Sequence, residues 1–450
     1  MKKQLLTLYI LFGLSIVTFA QTPFIGIQNS PRKGMISSIM NPAEINNLNK
    51  NVEVNIFSIN ASVGNNIISF GDILDFGNDV VDVAFLRANG PVNMRTEASI
   101  LGPSVGIKSG KWAFGFTTQA FAKADIIDLD PTLGTSVLDI EFENRSSITS
   151  ITSEYNQRAN ATGWAEMGFT VGREIFENDR HKFSAGISAK LLFPGTYANF
   201  GMDKLRAVII QDDFEVSLTE SEGTLNLSYS ESDFNGSNFN LGSNGLNFGK
   251  INGFGFDFGG NYQLKDSNGQ TRLNTGLSIR NLGSMTFGQG QVNNTYRMKI
   301  EEGEFFRLDQ LSGNPEEIES QILASGFFTR ESERDGIKTS LPSVISAYAE
   351  MKIIGILHAS TFAQQRFGDD NANQQLTSQN LLVITPRLVF GKFEVYSPWS
   401  KTEIAGINGG LGLRFGGFFV GSNSILTGFT ADSKQADFHI GLSWGFVRAN

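Results

Sequence analysis

The stretch Gly253–Asn281, GFGFDFGGNYQLKDSNGQTRLNTGLSIRN, decides the fold. Phe254, Phe256, Phe258, Tyr262 and Leu264 share one parity, and Gly253, Gly255, Asp257, Gly259, Asn261 and Gln263 share the other. Beyond Asp266-Ser267-Asn268-Gly269-Gln270 the alternation resumes. Leu273, Thr275, Leu277 and Ile279 then oppose Arg272, Asn274, Gly276, Ser278 and Arg280. Successive side chains of a strand point to opposite faces, so the stretch reads as a β-hairpin with one apolar and one polar face. Each arm is about 10 residues, the length a tilted strand needs to cross a bilayer. The hairpin alone does not say whether its apolar face meets a protein core or lipid.

Composition narrows that choice. Of the 450 residues 18% are charged, Gly is abundant (49) and Pro scarce (11), while Phe (38) outnumbers Trp and Tyr together. Mean hydropathy is near zero. Past the N-terminus no apolar run reaches the ~18 residues of a membrane helix. Strands that face lipid on one side dilute apolar with polar residues in this way. Met1–Ala20 reads as a signal peptide: Lys2 and Lys3, an apolar run from Leu5 to Phe19, and a small residue, Ala20, before Gln21. Its cleavage would remove two lysines, taking the formal charge from −9 to −11. An acidic chain without a basic stripe is a poor nucleic-acid binder. No cysteine is present, which excludes disulfides, thiol chemistry and a lipoprotein anchor.

The same alternation recurs along the chain. It appears at Val52–Ile56, Val105–Ile107, Trp112–Phe116, Ala165–Val171, Phe183–Leu191, Ile345–Met351, Leu357–Ala363, Leu381–Phe390, Phe393–Ser397, Ile407–Phe415, Phe418–Val420 and Asp437–Phe446. Short turns fall near 108–111, 177–180, 266–270, 352–355, 391–392 and 416–417. Between them run long polar connections: Ala61–Ser99, Ala124–Ala161, Pro194–Ile251 and Leu282–Leu341. Alternation of short turns with long loops is the habit of closed outer-membrane barrels. Six turns and seven loops predict a closed antiparallel transmembrane β-barrel of about 14 strands, an even number. The expected organisation is a signal peptide at 1–20, an N-terminal periplasmic or lumenal segment at 21–50 and the barrel at 51–450. Within the segment, Met35–Met40 is expected to make one or two helical turns. In the last long connection, Asn314-Pro315-Glu316-Glu317 predicts a helix start ending near Gly326: a capping Asn, Pro at the first position and carboxylates at the positive dipole end.

The order of Gln21 after the signal, Asn41-Pro42-Ala43, and GFGFDFGGNYQL…LNTGLSIRNLG resembles the FadL/PorV-like outer-membrane barrels of Bacteroidota, closest to an uncharacterised subfamily, over essentially the whole mature chain. The resemblance implies a 14-stranded barrel in the outer membrane whose N-terminal segment enters the lumen. A second resemblance is to the C-terminal signal of outer-membrane proteins. His439, Gly441, Trp444 and Phe446 fit its spacing, which implies recognition by the barrel-assembly machinery; the Val447–Asn450 tail departs from it.

Catalytic patterns fail on context. Gly102-Pro103-Ser104-Val105-Gly106 matches a nucleophile elbow, but that motif needs a strand–turn–helix and a His partner. Here an alternating strand follows, and only His181, His358 and His439 exist. The glycines of GFGFDFGG and GLGLRFGG sit inside strands with no helix following, so they cradle no phosphate. Inward glycines instead mark places where another segment approaches closely. Glu301, Glu302, Glu304, Glu316, Glu317 and Glu319 lack calcium-loop spacing and read as solvated surface. No enzyme activity, metal or cofactor is expected. By parity Asp257, Arg280, Arg414, Glu166, Lys190 and His439 face inward and are the candidate lumen-lining residues.

Two functions are compatible with such a barrel. Resemblance to FadL implies passage of a hydrophobic small molecule, which predicts an apolar pocket and a lateral opening or kinked strand. Resemblance to PorV implies an accessory barrel docking secreted proteins or a secretion complex, which predicts a filled lumen and an exposed apolar loop patch. Val80–Phe85 is the candidate patch.

Overall fold

The computed structural model describes residues 24–77, 80–138, 147–212, 215–230, 234–235, 238–239, 249–368, 370–430 and 433–448. The expected signal peptide lies outside them. The chain forms β1 (Lys50–Asn65), β2 (Val92–Leu101), β3 (Ser104–Ser109), β4 (Trp112–Leu129), β5 (Ser147–Thr152), β6 (Asn156–Glu177), β7 (His181–Asp212) and β8 (Glu215–Ser230). A small separate ribbon, β9 (Phe234–Asn235) with β10 (Asn238–Phe239), follows. Next come β11 (Gly253–Lys265), β12 (Thr271–Ile300), β13 (Phe306–Arg307), β14 (Phe328–Ser340), β15 (Val344–Ile354), β16 (Leu357–Arg366) and β17 (Leu381–Phe390). The last are β18 (Phe393–Tyr396), β19 (Trp399–Thr402), β20 (Gly406–Gly409), β21 (Leu411–Phe415), β22 (Phe418–Ser422) and β23 (Gln435–Arg448).

The sheet closes on itself. At the short-turn end the antiparallel circuit runs β1, β3, β4, β6, β7, β11, β12, β15, β16, β17, β18, β21, β22, β23 and back to β1, fourteen staves. Toward the long-loop end β8 and β14 join the ring between β7 and β15, giving about 16 strands. Closure removes the sheet edge, the requirement for β-structure in lipid. Alternation sorts the side chains. Phe254, Phe256 and Phe258 stand 58%, 42% and 45% exposed on the outside, while Asp257 between them is buried inside. Trp112, Phe114, Phe169, Val171, Ile187, Leu277, Ile384, Leu413 and Phe438 continue the outer apolar band around the wall. An apolar exterior around a polar interior is the pattern of a transmembrane barrel.

All six expected short turns are present, and Lys50 pairs with Arg448 at the same end. Gly391 and Gly416 make two of the turns with φ of 56° and 57°, a conformation that strongly favours glycine. The expected helices form at Met35–Met40 and at Pro315–Ala324, the latter with Asn314 and Glu317 in a capping box.

The long connections differ from expectation: much of their length is strand. β7 and β12 are 32 and 30 residues long, so they continue well past the apolar band. With β8 and β14 they build a sheet beyond the membrane, packed on its own core of Leu225, Leu227, Tyr229, Tyr296, Met298, Ile300 and Ile322. Register shifts between Asp203 and Val208 explain why this was hidden. They change the parity of the partner strand β8 from Val216 and Leu218 to Leu225, Leu227 and Tyr229, so no single alternation spans it. Ala61–Ser99 is likewise part strand, with helices at Phe70–Phe76 and Val80–Arg87 between β1 and β2. In the second of these Ala84 and Phe85 are buried, Phe85 clustering with Val92 against Ile67, Val81 and Leu129. The expected apolar patch at Val80–Phe85 therefore packs largely inward.

Candidate functional site

The lumen is entered from both ends. From the short-turn end, the chain from Phe24 to Leu48 runs inside the barrel, almost entirely buried. Its course follows missing side chains. A Cβ on Gly259 would lie 1.9 Å from Asn41 Oδ1; one on Gly186 would lie 2.5 Å from the Pro42 carbonyl group. A Cβ on Gly172 or Gly115 would meet Ile45 at 2.5 Å, and one on Gly106 would meet Leu48 and Met35 at 2.7 Å. Gly172, Gly186 and Gly259 are direct cross-strand partners on β6, β7 and β11. Neighbouring strands thus present a smooth groove into which Met35–Leu48 settles.

Polar side chains fix the segment in that groove. Asn41 caps the 3-10 turn Pro42–Asn47 by accepting from Ala43 N at 2.9 Å, and its Nδ2 donates to the Gly260 carbonyl at 3.0 Å. The Glu44 carboxylate accepts from Asn274 Nδ2 (2.7 Å), Asn47 Nδ2 (2.8 Å), Asn261 Nδ2 (3.3 Å) and the Tyr348 hydroxyl, with Lys33 Nζ at 3.5 Å. Burial opposes its charge, but Lys33 and the bonds from Tyr348, Asn274 and Asn47 outweigh it and hold the carboxyl below its usual range. Nearer the turns, Arg32 donates to the carbonyls of Gly391, Lys392 and Phe393.

The six candidate lumen residues separate into two places. Glu166, Lys190, Asp257 and Arg280 come together: Lys190 Nζ is 2.8 Å from Asp257 and 3.6 Å from Glu166. Asp257 also accepts from Asn281 N (2.7 Å), bracing a β12 residue with φ of 61°. Arg280 donates to Gln364 Oε1 (2.8 Å) and Ser346 Oγ (3.4 Å). Arg414 and His439 lie apart from these, Arg414 against the N-terminal segment and His439 against Tyr396 and Phe419. Arg414 donates to the Arg32 carbonyl (3.0 Å), and fully buried His439 lies 2.6 Å from the Tyr396 hydroxyl. Trp444 and Phe446 face outward, opposite in parity to His439 and Gly441.

From the long-loop end, the Phe367–Asn380 connection folds inward. Asp370 is held by Arg95 (2.5 Å) and Arg366, and Arg158 donates to the carbonyls of Asp370 and Ala372. Thr377 donates to Asp125 (2.6 Å) while its carbonyl accepts from Lys123 (2.6 Å). Leu376 is buried among Trp164, Leu192, Tyr197, Met285 and Phe287. Between floor and roof lies a cavity of about 80 Å³. Glu97, Lys123, Glu166, Lys190 and Arg280 line it, interleaved with Phe121, Trp164, Leu341 and Val344, and Gln28, Ile39 and Met40 of the N-terminal segment form the floor.

Sequence reading missed the fully buried Arg387–Glu394 pair, which binds the Gly26 carbonyl and Ser30 Oγ. It also missed Trp164, stacked on Phe121 at 4.7 Å. Both were accessible to parity: Arg387 follows Val383 and Thr385 on the inward face, and Trp164 shares parity with Glu166. The elbow-like Ser104 donates to Gly102 O at 3.0 Å, and each histidine is engaged elsewhere, His181 with Tyr262, His358 with Glu350 and His439 with Tyr396. Among the described residues no group of three or more His, Asp or Glu could hold a metal.

Among solved structures, the chain is similar to the P. putida toluene transporter TodX, at 8% identity over 95% of this chain and 99% of that one, with a TM-score of 0.47. It is similar to a Pseudomonas aeruginosa FadL homologue at 9% identity, covering 95% and 97%, with a TM-score of 0.42. The CymD monoaromatic hydrocarbon channel gives 10% identity, 92% and 94% coverage and a TM-score of 0.42. Among curated proteins none matches. The family model described as a family of unknown function, DUF5723, matches residues 42–423.

The glycine groove makes a direct prediction. Gly259→Val should lift Asn41 from its seat and raise amide exchange of residues 35–48 by about a hundredfold, equivalent to losing about 3 kcal/mol of hydrogen bonding and packing. Gly260→Val, whose Cβ meets only Phe183 at 4.0 Å, should leave exchange unchanged. The depressed Glu44 group predicts a pH dependence of the opposite sense to a histidine switch. Its contribution to docking is complete above the ordinary value of 4.5 and declines as pH falls below it toward the lower folded value. Protease cleavage of the segment should therefore rise on acidification below that range, and Glu44→Gln should remove the dependence.

Proposed function

Because the chain belongs to this family of unknown function, DUF5723, we propose its role from the lumen itself: an outer-membrane barrel that passes small hydrophobic or amphipathic molecules, with the N-terminal segment as a displaceable floor. The supporting observation is the mid-lumen cavity. Its wall mixes apolar residues (Phe121, Trp164, Leu341) with charged ones that include Arg280, and its floor is Ile39 and Met40. At about 80 Å³ it holds a headgroup and not a whole drug-sized ligand, whose sites run to roughly 300–1,000 Å³. Passage on this reading needs the floor to move. The short turns then face the periplasm and the long loops the exterior, and the His439, Gly441, Trp444 and Phe446 pattern on the closing strand serves barrel assembly.

The absence of cysteine makes a clean test available. Ser278 Oγ donates to the Met40 carbonyl at 3.0 Å, so Met40→Cys with Ser278→Cys can tether floor to wall. Uptake of a fluorescent fatty acid into proteoliposomes should fall about tenfold or more on oxidation and return on reduction. Equal uptake in both states, or uptake no faster than through protein-free liposomes, rejects the reading.

One observation favours the docking alternative. Ile73, Leu74, Leu86, Ile425 and Phe429 are exposed on long-loop helices that meet where Phe70 approaches Gly428. If that patch binds a secreted protein, native extraction should yield a stoichiometric partner from wild type and none from Leu74→Asp/Phe429→Asp.

A further inference from the structure

A second cavity, about 350 Å³, lies beyond the membrane band between the extended sheet and the inward loop. That volume is within the roughly 300–1,000 Å³ of small-molecule sites. β8 contributes Asn226, β12 Asn293 and Thr295, β14 Ser332 and Arg334, and the loop Asn373 and Gln374. Its chemistry differs from the mid-lumen cavity, because no carboxylate and no aromatic ring lines it.

The hydrogen bonds show which polar atoms are left over. The carboxamide oxygens are used inside the protein: Asn226 Oδ1 accepts from Asn199 (3.0 Å), and Asn293 Oδ1 accepts from Ser228 (2.8 Å) and Asn226 (3.5 Å). Asn373 Oδ1 accepts from Asn156 (3.1 Å) and Asn199 (3.3 Å). Two donors converging on one oxygen fix the orientation of that amide. The Nδ2 groups of Asn293 and Asn373 and the Arg334 guanidinium then have no partner among the described residues. Asn293 is 4% exposed as a residue, and its Nδ2 is not among the buried unpartnered atoms, so the donor is open to the cavity. The cavity is therefore rich in donors, with hydroxyls of Thr295 and Ser332 beside them and one exposed cation at its margin.

We propose that this cavity is a binding site for a sugar acid, a hydroxyl-bearing ring carrying a carboxylate. Arg334 takes the carboxylate in a charge-assisted, two-point contact. The amides of Asn293, Asn373 and Gln374 and the two hydroxyls take the ring oxygens, each amide able to donate twice. The ligand is either a free saccharide or the sugar of a membrane glycolipid, and the chemistry is common to both. The site stands apart from the mid-lumen cavity, so it does not depend on the passage reading.

The test titrates the full chain in detergent with glucuronate, glucose and propionate by calorimetry, and separately with micelles of lipopolysaccharide containing a uronic acid. Glucuronate, or the uronic-acid micelles, should bind saturably. Where free glucuronate binds, it should do so about tenfold or more tighter than either glucose or propionate, because only it satisfies charge and ring donors together. Arg334→Gln, an exposed position that leaves the fold intact, should lower affinity for the acid about tenfold. Asn293→Ala should weaken acid and neutral sugar alike. Binding of free glucuronate identifies a soluble saccharide; binding of micelles alone identifies a glycolipid source. The proposal is overturned if neither binds, if propionate or glucose equals glucuronate, or if Arg334→Gln binds as wild type does.

Discussion

The seating of Asn41-Pro42-Ala43-Glu44 against a wall stripped of side chains is the contact on which the rest of the interior depends. A barrel of fourteen staves leaves a lumen too wide for its own inward side chains to fill. Here a length of chain fills it, and a buried backbone must have its polar groups matched. Gly172, Gly186 and Gly259 let the backbone come close enough for Asn41 to reach the Gly260 carbonyl, and for Glu44 to collect donors from Asn274, Asn261 and Tyr348. Close approach and polar matching are one requirement here: larger wall residues would remove both.

Charge follows the same logic. Arg387 and Glu394 are fully buried, a placement that by itself gains little, because desolvation offsets the attraction. Further hydrogen bonds run to the Gly26 carbonyl, Ser360 and Ser30, so the pair positions the start of the N-terminal segment as well as holding two strands together. Removing one partner would leave the other charge unpaired, a loss of about 3–5 kcal/mol. The Glu166–Lys190–Asp257 set, by contrast, braces the wall at Asn281, where β12 departs from regular geometry.

How much of this was legible follows from where parity survives. In the membrane band lipid outside and polar groups inside impose strict alternation, so Phe254–Phe258 against Asp257, the six turns and the strand number could be read directly. Beyond the band both faces meet water or protein. Strand β8 changes parity opposite the irregular stretch from Asp203 to Val208, and its strands read as loops. Individual inward charges were legible, but their partners were not: nothing local links Lys190 to Asp257 or Arg95 to Asp370, 275 positions apart. Nor does parity tell a glycine that admits a segment from one that merely bends a strand. The Asn-Pro-Ala run marked the segment, and only the three-dimensional register showed which glycines receive it.

Floor and roof of the lumen also share a strand. Ser278 of β12 holds the floor through the Met40 carbonyl, and two residues on, Arg280 holds Gln364, whose Nε2 donates to the Gln379 carbonyl of the roof loop at 3.1 Å. Both side chains project from the same inward face, just before the irregularity at Asn281 that Asp257 and Lys190 secure. A displacement of this part of β12 would therefore disturb the bonds that fasten both closures. The hairpin that betrays the fold in sequence is thus also where both closures are fastened. A molecule occupying the cavity between them would press on Arg280 and Met40 together.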